Sequence, residues 1–164
     1  MGELLGTWYG KLLMLLGIAA VAGVMLVASS GSKVASQASD ITMLQGNARQ
    51  QLGASQNGYT NFTTANSAGL IQAGVVPPGM VRAGALTDQW GGAITFAPAN
   101  NGAQGVVTLA GITSVKDCTK LATTLRDYDT LIIGKVTFTP DQQPDGSTAG
   151  AACNGNNTVQ ITFS

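Results

Sequence analysis

The sequence predicts an α+β fold: a long N-terminal α-helix packed on an antiparallel β-sheet, with a second helix. Three observations carry this expectation. Residues Leu4 to Ala28 form a 25-residue apolar run in which Lys11 is the only charge. The helical pattern then continues: Val34, Ala38, Ile41, Ala48 and Leu52 recur at helical spacing, with Leu44 and Gln45 on either side of one gap. At the other end, Thr158 to Ser164 alternate strictly, with Val159, Ile161 and Phe163 on one face. The first two features are one helix changing from wholly apolar to amphipathic. The third is a half-buried strand.

Taken in order, the apolar run is long enough to span a bilayer as a helix. Lys33, Gln37, Asp40, Asn47, Arg49 and Gln50 are the intervening positions of the amphipathic continuation. Gly53 is a plausible stop, and Gln56-Asn57-Gly58 reads as a turn. A helix from Leu4 to Leu52 would be roughly 75 Å long at about 1.5 Å per residue. No globule of 164 residues is that wide. The chain therefore divides into a stalk, residues 1–53 (apolar over 1–28, amphipathic over 29–53), and a head, residues 54–164.

Within the head, residues 54–69 read as a polar loop, Ser67 to Ala73 as a short helix, and Val81 to Gly92 as irregular chain. Ala93–Ala97 and Gly105–Ala110 flank the turn Pro98 to Gly102 and should pair as an antiparallel hairpin. Thr113 to Tyr128 is the second helix, with Thr113 or Ser114 as N-cap and Asp117 in the first turn. Its apolar face is Val115, Cys118, Leu121, Ala122 and Leu125. Leu131–Thr139 reads as one longer strand interrupted by a bulge at Gly134, and Pro140 to Asn157 as a loop. The sheet should pack on residues 30–52 of the stalk.

Formal net charge is zero and 10% of residues are charged. Nucleic-acid binding, which needs a basic surface, is not expected. A neutral surface rich in Gly, Ala, Thr, Asn and Gln repels its own copies weakly, so dense self-packing meets little electrostatic resistance. The chain has no His, so zinc and most transition-metal sites are effectively excluded. No cofactor and no catalysis are expected. Asp127 and Asp129 flank Tyr128 and read as a solvated helix end rather than a paired-carboxylate or calcium site. Gly91-Gly92 lacks the context of a phosphate loop. Asn61-Phe-Thr63 and Asn156-Asn-Thr158 fit a glycosylation sequon, which is a weak signal by itself.

The two cysteines, Cys118 and Cys153, suggest one disulfide if the head is exported, and two free buried thiols if it is not. A cleaved secretory signal fits poorly, because no basic residue precedes Lys11 and the apolar run is too long, although Ala28 lies in a plausible cleavage context.

At this point the chain resembles a type IV pilin of the type IVb class, the kind made by enteric bacteria and some conjugative plasmids. Leu16-Gly17-Ile18 and Ala22-Gly23-Val24 resemble the apolar helix of those pilins. Asp88-Gln-Trp-Gly-Gly-Ala93, followed by Ala97-Pro-Ala-Asn-Asn101, resembles their first strand and its turn. Cys118 and Cys153 sit where that family closes its C-terminal disulfide region. The resemblance implies a structural subunit and not an enzyme. A peptidase removes a leader in the inner membrane, the new N-terminus is methylated, and an assembly machine extrudes a helical homopolymer with stalks inward. The subunit would thus reside in the inner membrane before assembly and in an extracellular pilus afterwards. Met1 is the expected mature N-terminus, and maturation after Gly6 is the alternative, which would put Lys11 in the fifth place and reverse the charge there. The family's usual Glu at the fifth mature position is absent: position 5 is Leu5, and the only Glu in the chain is Glu3.

Glu3 and Lys11 are the only charged side chains in the apolar stretch. They are separated by about 12 Å along a helix and about 80° around it, so they cannot meet within one straight helix. A neighbouring subunit displaced axially by that amount could pair them; Lys11 snorkelling to head groups is the simpler alternative. Gly2, Gly6 and Gly10 make a smooth strip for close helix approach. With Leu12, Leu13, Leu16, Gly17, Val21 and Val24 these residues form the expected subunit-assembly surface. Two other functions fit the same layout: a minor pilin or pseudopilin that primes a pilus or secretion machine, and a membrane-anchored periplasmic binding module. Abundance in sheared surface filaments separates the first reading from both, and a ligand bound by a soluble fragment would favour the last.

Overall fold

The computed structural model describes residues 31–164. Residues Lys33–Ser164 form one compact unit, the folded head with its packed helix. The first element of that unit, α1, is helical over residues 31–48 and widens into a π-helical turn, Arg49–Gly53. The buried face of α1 is Val34, Gln37, Ala38, Ile41, Leu44, Gln45 and Ala48. The apolar stripe expected from the sequence is therefore the one that packs. Gln37 departs from expectation: its place among the polar positions predicts exposure, yet it is 0% exposed.

A 3-10 turn, Thr64–Asn66, leads into α2, Ser67–Gln72. The Asn47 amide on α1 donates to the carbonyls of Gly74 and Val75 just beyond it. The stretch expected to be irregular holds a small hairpin, β1 (Val81–Arg82) and β2 (Ala85–Leu86). Its two turn residues, Ala83 and Gly84, both have positive φ, the pattern that matches the twist of a two-residue hairpin.

The main sheet has the order β3-β4-β7-β5-β6 and is antiparallel throughout. The strands are β3 (Ile94–Ala99), β4 (Gln104–Leu109), β5 (Thr130–Ile133), β6 (Val136–Phe138) and β7 (Val159–Phe163). The hairpin β3–β4 is the one expected. The C-terminal strand β7 inserts between β4 and β5, with Val107 and Leu131 both opposite Ile161. Being central, it is covered more fully than the alternation implied, and Thr162 on its polar face is buried as well.

Three expectations need correction. The single strand over Leu131–Thr139 is two strands. Gly134, with φ 60°, opens a two-residue turn that reverses the chain, and Ile133 pairs with Val136. Glycine at the first central position and Lys135 at negative φ is a type II′ hairpin, not a bulge. The second long helix is shorter than Thr113–Tyr128: α3 is Val115–Thr124, capped by the Ser114 hydroxyl, which accepts from the Asp117 amide. Leu125 turns extended and Asp127 adopts φ 59°, which ends it. Val115, expected on its apolar face, is 43% exposed. Finally, Pro140 to Asn157 is not all loop. It contains α4, Gly146–Cys153, started by a capping box in which the Asp145 carboxylate accepts from Ser147 and Thr148 amides. Those amides, the Thr148 one foremost, hold the Asp145 carboxyl below its usual range.

The β3 edge is closed by a side chain. The Thr64 hydroxyl accepts from the Phe96 amide at 2.7 Å and donates to the Phe96 carbonyl at 3.1 Å, standing in for a neighbouring strand. Pro98, further along β3, lacks a donor for an outside strand. The stripe of α1 then joins Met80, Leu109, Ile112, Leu121, Ile133, Ile161 and Phe163 in one continuous core.

Candidate functional site

The described residues of the head hold a set of polar anchors that fix α1 to the sheet and to α3, rather than a catalytic constellation. The first is the turn Asp88–Gly92. The side chain of Asp88 is fully buried and accepts from three backbone amides: Trp90 at 3.0 Å, Gly92 at 2.8 Å and Gly111 at 2.8 Å. Three N–H dipoles are what a buried carboxylate needs in place of water. Only glycine fits around it, since a Cβ on Gly92 would collide with the Gly111 backbone and one on Gly111 with the carboxylate. The turn so formed reaches outward. The Gln89 amide donates to Gln37 Oε1 at 2.9 Å, and Gln89 Nε2 to Asp40 Oδ2 at 3.1 Å, both on α1. The Trp90 indole donates to Asp117 Oδ2 at 3.0 Å, on α3. Gln37 is thus buried because it satisfies this turn. The sequence Asp88–Ala93, expected as the first strand, is a clasp that precedes it. Only its local part has a sequence signal: Asp88 with Gly91 and Gly92 three and four residues on, a turn that closes on its own side chain.

The second anchor lies at the C-terminal end of α1. Arg49 Nε donates to the Ser164 carbonyl at 2.5 Å and Nη2 to the Asp127 carbonyl at 2.8 Å. Gln45 Nε2 reaches the same Asp127 carbonyl at 3.3 Å. The positive φ of Asp127 turns that carbonyl toward the helix. Arg49 also stands 6.0 Å from the Phe163 ring centroid. Beneath it, Tyr59, Phe62, Phe96 and Phe163 pack edge-on and stacked. Gly105 on β4 leaves room for them, since a Cβ there would press on three of the rings.

The hydroxyls of Tyr59 and Tyr128 are buried without a hydrogen-bond partner among the described residues. Burial pushes both phenols above their usual value, with Arg49 opposing at Tyr59 and Arg126 at Tyr128. In the unfolded chain these groups ionise near pH 10, before they would in the folded one. Their neutral forms favour the fold below that pH, and the contribution is lost as pH rises through the folded values. The urea midpoint should therefore fall between about pH 9 and pH 11. Tyr59→Phe should flatten that fall; an unchanged slope in this variant would contradict the assignment.

The third feature is the disulfide between Cys118 on α3 and Cys153 at the end of α4, with Cα atoms 5.9 Å apart. Small residues let the two helices approach: Ala122 on α3 and Ala149 and Ala152 on α4 are buried between them. The chain-entropy model assigns about 3–4 kcal/mol to closing a loop of this length. Cys118→Ser should lower the unfolding free energy of the head, read by urea titration, by that order and reduce the amount of subunit recovered from cells. Unchanged stability in the variant would show that α4 is held by packing alone.

The other sequence-derived candidates fall as follows. Met1, Gly2, Glu3, Gly6, Gly10, Lys11, Leu12, Leu13, Leu16, Gly17, Val21 and Val24 lie outside the described residues. Among the described residues no helix is long and apolar enough to cross a membrane, and no group of His, Cys, Asp or Glu could hold a metal ion. Asp129 is engaged by Gln104 Nε2 at 2.7 Å and Ser164 Oγ at 3.3 Å. Asn156 of the second sequon donates to the Ala152 carbonyl at 2.7 Å, and Asn61 of the first is exposed.

Residues 32–164 match the protein family described as PilS N terminal. No curated protein matches the sequence. Among solved structures, the chain is similar to the crystal structure of TcpA, a type IV pilin from Vibrio cholerae El Tor biotype. The two share 15% identity and a TM-score of 0.56 over 80% of this chain and 98% of that one. At that identity the likeness is one of fold.

Proposed function

This chain belongs to the PilS family of type IVb pilins, and from that premise we propose that it is the main repeating subunit of a type IVb pilus. The pilus would serve surface attachment, aggregation or mating-pair contact. One observation carries the reading. The apolar stripe of α1 from Val34 to Ala48 is consumed by the head's own core, while the sequence places a further 25-residue apolar run ahead of it. Such a run demands burial in a bilayer or against copies of itself. A neutral head allows the copies to crowd. In this reading residues 1–28 sit in the inner membrane before assembly and in the fibre interior afterwards, delivered there by the leader peptidase and assembly machine of such systems. Electron microscopy of sheared fibres, with mass spectrometry of their protein, tests it. The dominant component should be this chain. Fibres in which it is scarce or missing would make it an accessory subunit.

The charges of the apolar run bear on assembly. Glu3 is the sole acidic group before Asp40, and in a low-dielectric bundle it needs Lys11 or the Met1 amine of a neighbour. Removing one partner strands the other, at a cost of about 3–5 kcal/mol. Glu3→Ala and Lys11→Ala should each reduce fibre yield while the head still folds, and the charge-swapped double variant should recover part of the loss. Normal fibre yield from both single variants would assign Lys11 to snorkelling instead.

A further inference from the structure

The sequence contains three Asn-Gly pairs: Asn57-Gly58, Asn101-Gly102 and Asn154-Gly155. Asn-Gly is the pair in which the following backbone nitrogen can most readily attack the asparagine side chain, since glycine has no Cβ to hinder it. The reaction needs three things from the fold. The glycine N–H must be free, the peptide must be able to rotate, and water must reach the product. The structure leaves the glycine nitrogen and its surroundings open at one pair and encloses the glycines of the other two.

At Asn57-Gly58 the Gly58 amide donates to the Ser55 carbonyl at 3.1 Å. The Asn57 carbonyl accepts from Thr60 twice, from its amide at 3.2 Å and its hydroxyl at 2.7 Å. Gly58 is pressed against the Gly102 carbonyl, with no space even for a Cβ. At Asn101-Gly102 the glycine is buried, its carbonyl accepts from the Tyr59 amide at 2.7 Å, and Thr60 closes over it. The two pairs lock each other. At Asn154-Gly155 both residues are exposed. The Gly155 amide makes no hydrogen bond among the described residues, and nothing lies within 4 Å of where its Cβ would be. The peptide between them is the middle one of an exposed turn, closed by the Asn156 amide donating to the Cys153 carbonyl at 3.2 Å, and Asn156 Nδ2 lies 3.5 Å from the Asn154 carbonyl. Asn154 is also the C-cap of α4, its own amide held by the Ala151 carbonyl at 3.3 Å, and the helix ends there, where fraying opens first.

We propose that Asn154 is a site of spontaneous deamidation, selected by the fold over the other two pairs. The Gly155 nitrogen bonds to the Asn154 side-chain carbon. The carbon–nitrogen bond of the carboxamide breaks, and ammonia leaves with the proton from the Gly155 nitrogen. Solvent water then opens the cyclic imide at either carbonyl, giving aspartate or isoaspartate. Either product adds a negative charge to the exposed end of α4. Isoaspartate also lengthens the backbone by one carbon between Cys153, held by the disulfide, and Asn156, whose carboxamide lies over Gly134 at the β5–β6 turn. The modification accumulates with the age of the subunit and marks the disulfide-closed face of the head.

The test is a peptide map of the full-length chain in detergent, held for weeks at physiological temperature and mildly alkaline pH. Electron-transfer fragmentation separates aspartate from isoaspartate. A parallel sample is reduced and denatured. In the folded chain Asn154 should convert about tenfold or more faster than Asn57 and Asn101, whose reaction must wait for local opening. In the denatured sample the three should converge to within a few-fold, as all three are then free. N154Q should fold normally and lack the product at that position. Persistence of the Asn154 amide, equal rates at Asn57 or Asn101 in the folded chain, or the same ranking after denaturation would overturn the proposal.

Discussion

Deleting residues 1–28 is expected to yield a soluble, folded monomer that forms no fibres. The head retains everything its core uses, because the buried face of α1 begins at Val34. The anchors from Gln37, Gln45 and Arg49 stay in place as well. What the deletion removes is the 25-residue apolar run, whose burial between copies is the proposed driving term for polymerisation. Loss of fibres should therefore be complete, while the far-UV circular dichroism of the remaining chain stays mixed α and β. Size-exclusion chromatography and electron microscopy read both outcomes. A truncated chain that still builds fibres of native diameter would place the assembly surface on the head.

The second large effect is expected at Asp88. Its carboxylate replaces water for three buried amides and shapes the turn that holds both α1 and α3. Asp88→Ala leaves those donors without an acceptor, and each such loss costs about 1–3 kcal/mol. Allowing for partial relaxation, the head should lose about 3–5 kcal/mol, enough to unfold a marginal domain. Asp88→Asn keeps one acceptor oxygen but aims an amide group at the other donors, so it should lose roughly half as much. Urea denaturation followed by Trp90 fluorescence measures both, since the indole is tethered to Asp117 across the same turn. If Asp88→Ala were as stable as the natural chain, α1 would have to be held by its apolar stripe and the Arg49 anchor without the clasp.

Much of this fold is legible in the sequence because the relevant signals are periodic. The stripe from Val34 to Ala48, the hairpin around Pro98–Gly102 and the alternation of Val159, Ile161 and Phe163 all report which face is buried, and burial is the dominant local constraint. The elements that escape a sequence reading lack a period. Helix α4 is built from Gly, Ser, Thr, Ala and Cys, with no apolar stripe to read. Its one signal is the capping box at Asp145 and Thr148. The split at Gly134 turns on one glycine, whose φ the sequence does not specify. The Asp88 clasp is hidden for a different reason. Its partners, Gln37, Gly111 and, through Trp90, Asp117, are distant in sequence, and only the assembled fold brings them together. The cysteine pair is visible as a pair, whereas the close approach of α3 and α4 that it joins is not.

The central claim is that the apolar run forms the fibre interior and the head its surface. Helical reconstruction of sheared fibres by electron cryomicroscopy tests this most directly. The predicted result is a bundle of helices on the axis, traceable as residues 1–28 and continuous with α1. Heads should lie outside, with the disulfide face carrying Asn154 at or near solvent. A reconstruction in which this run is absent from the axis, or in which the heads alone make the subunit contacts, would contradict it.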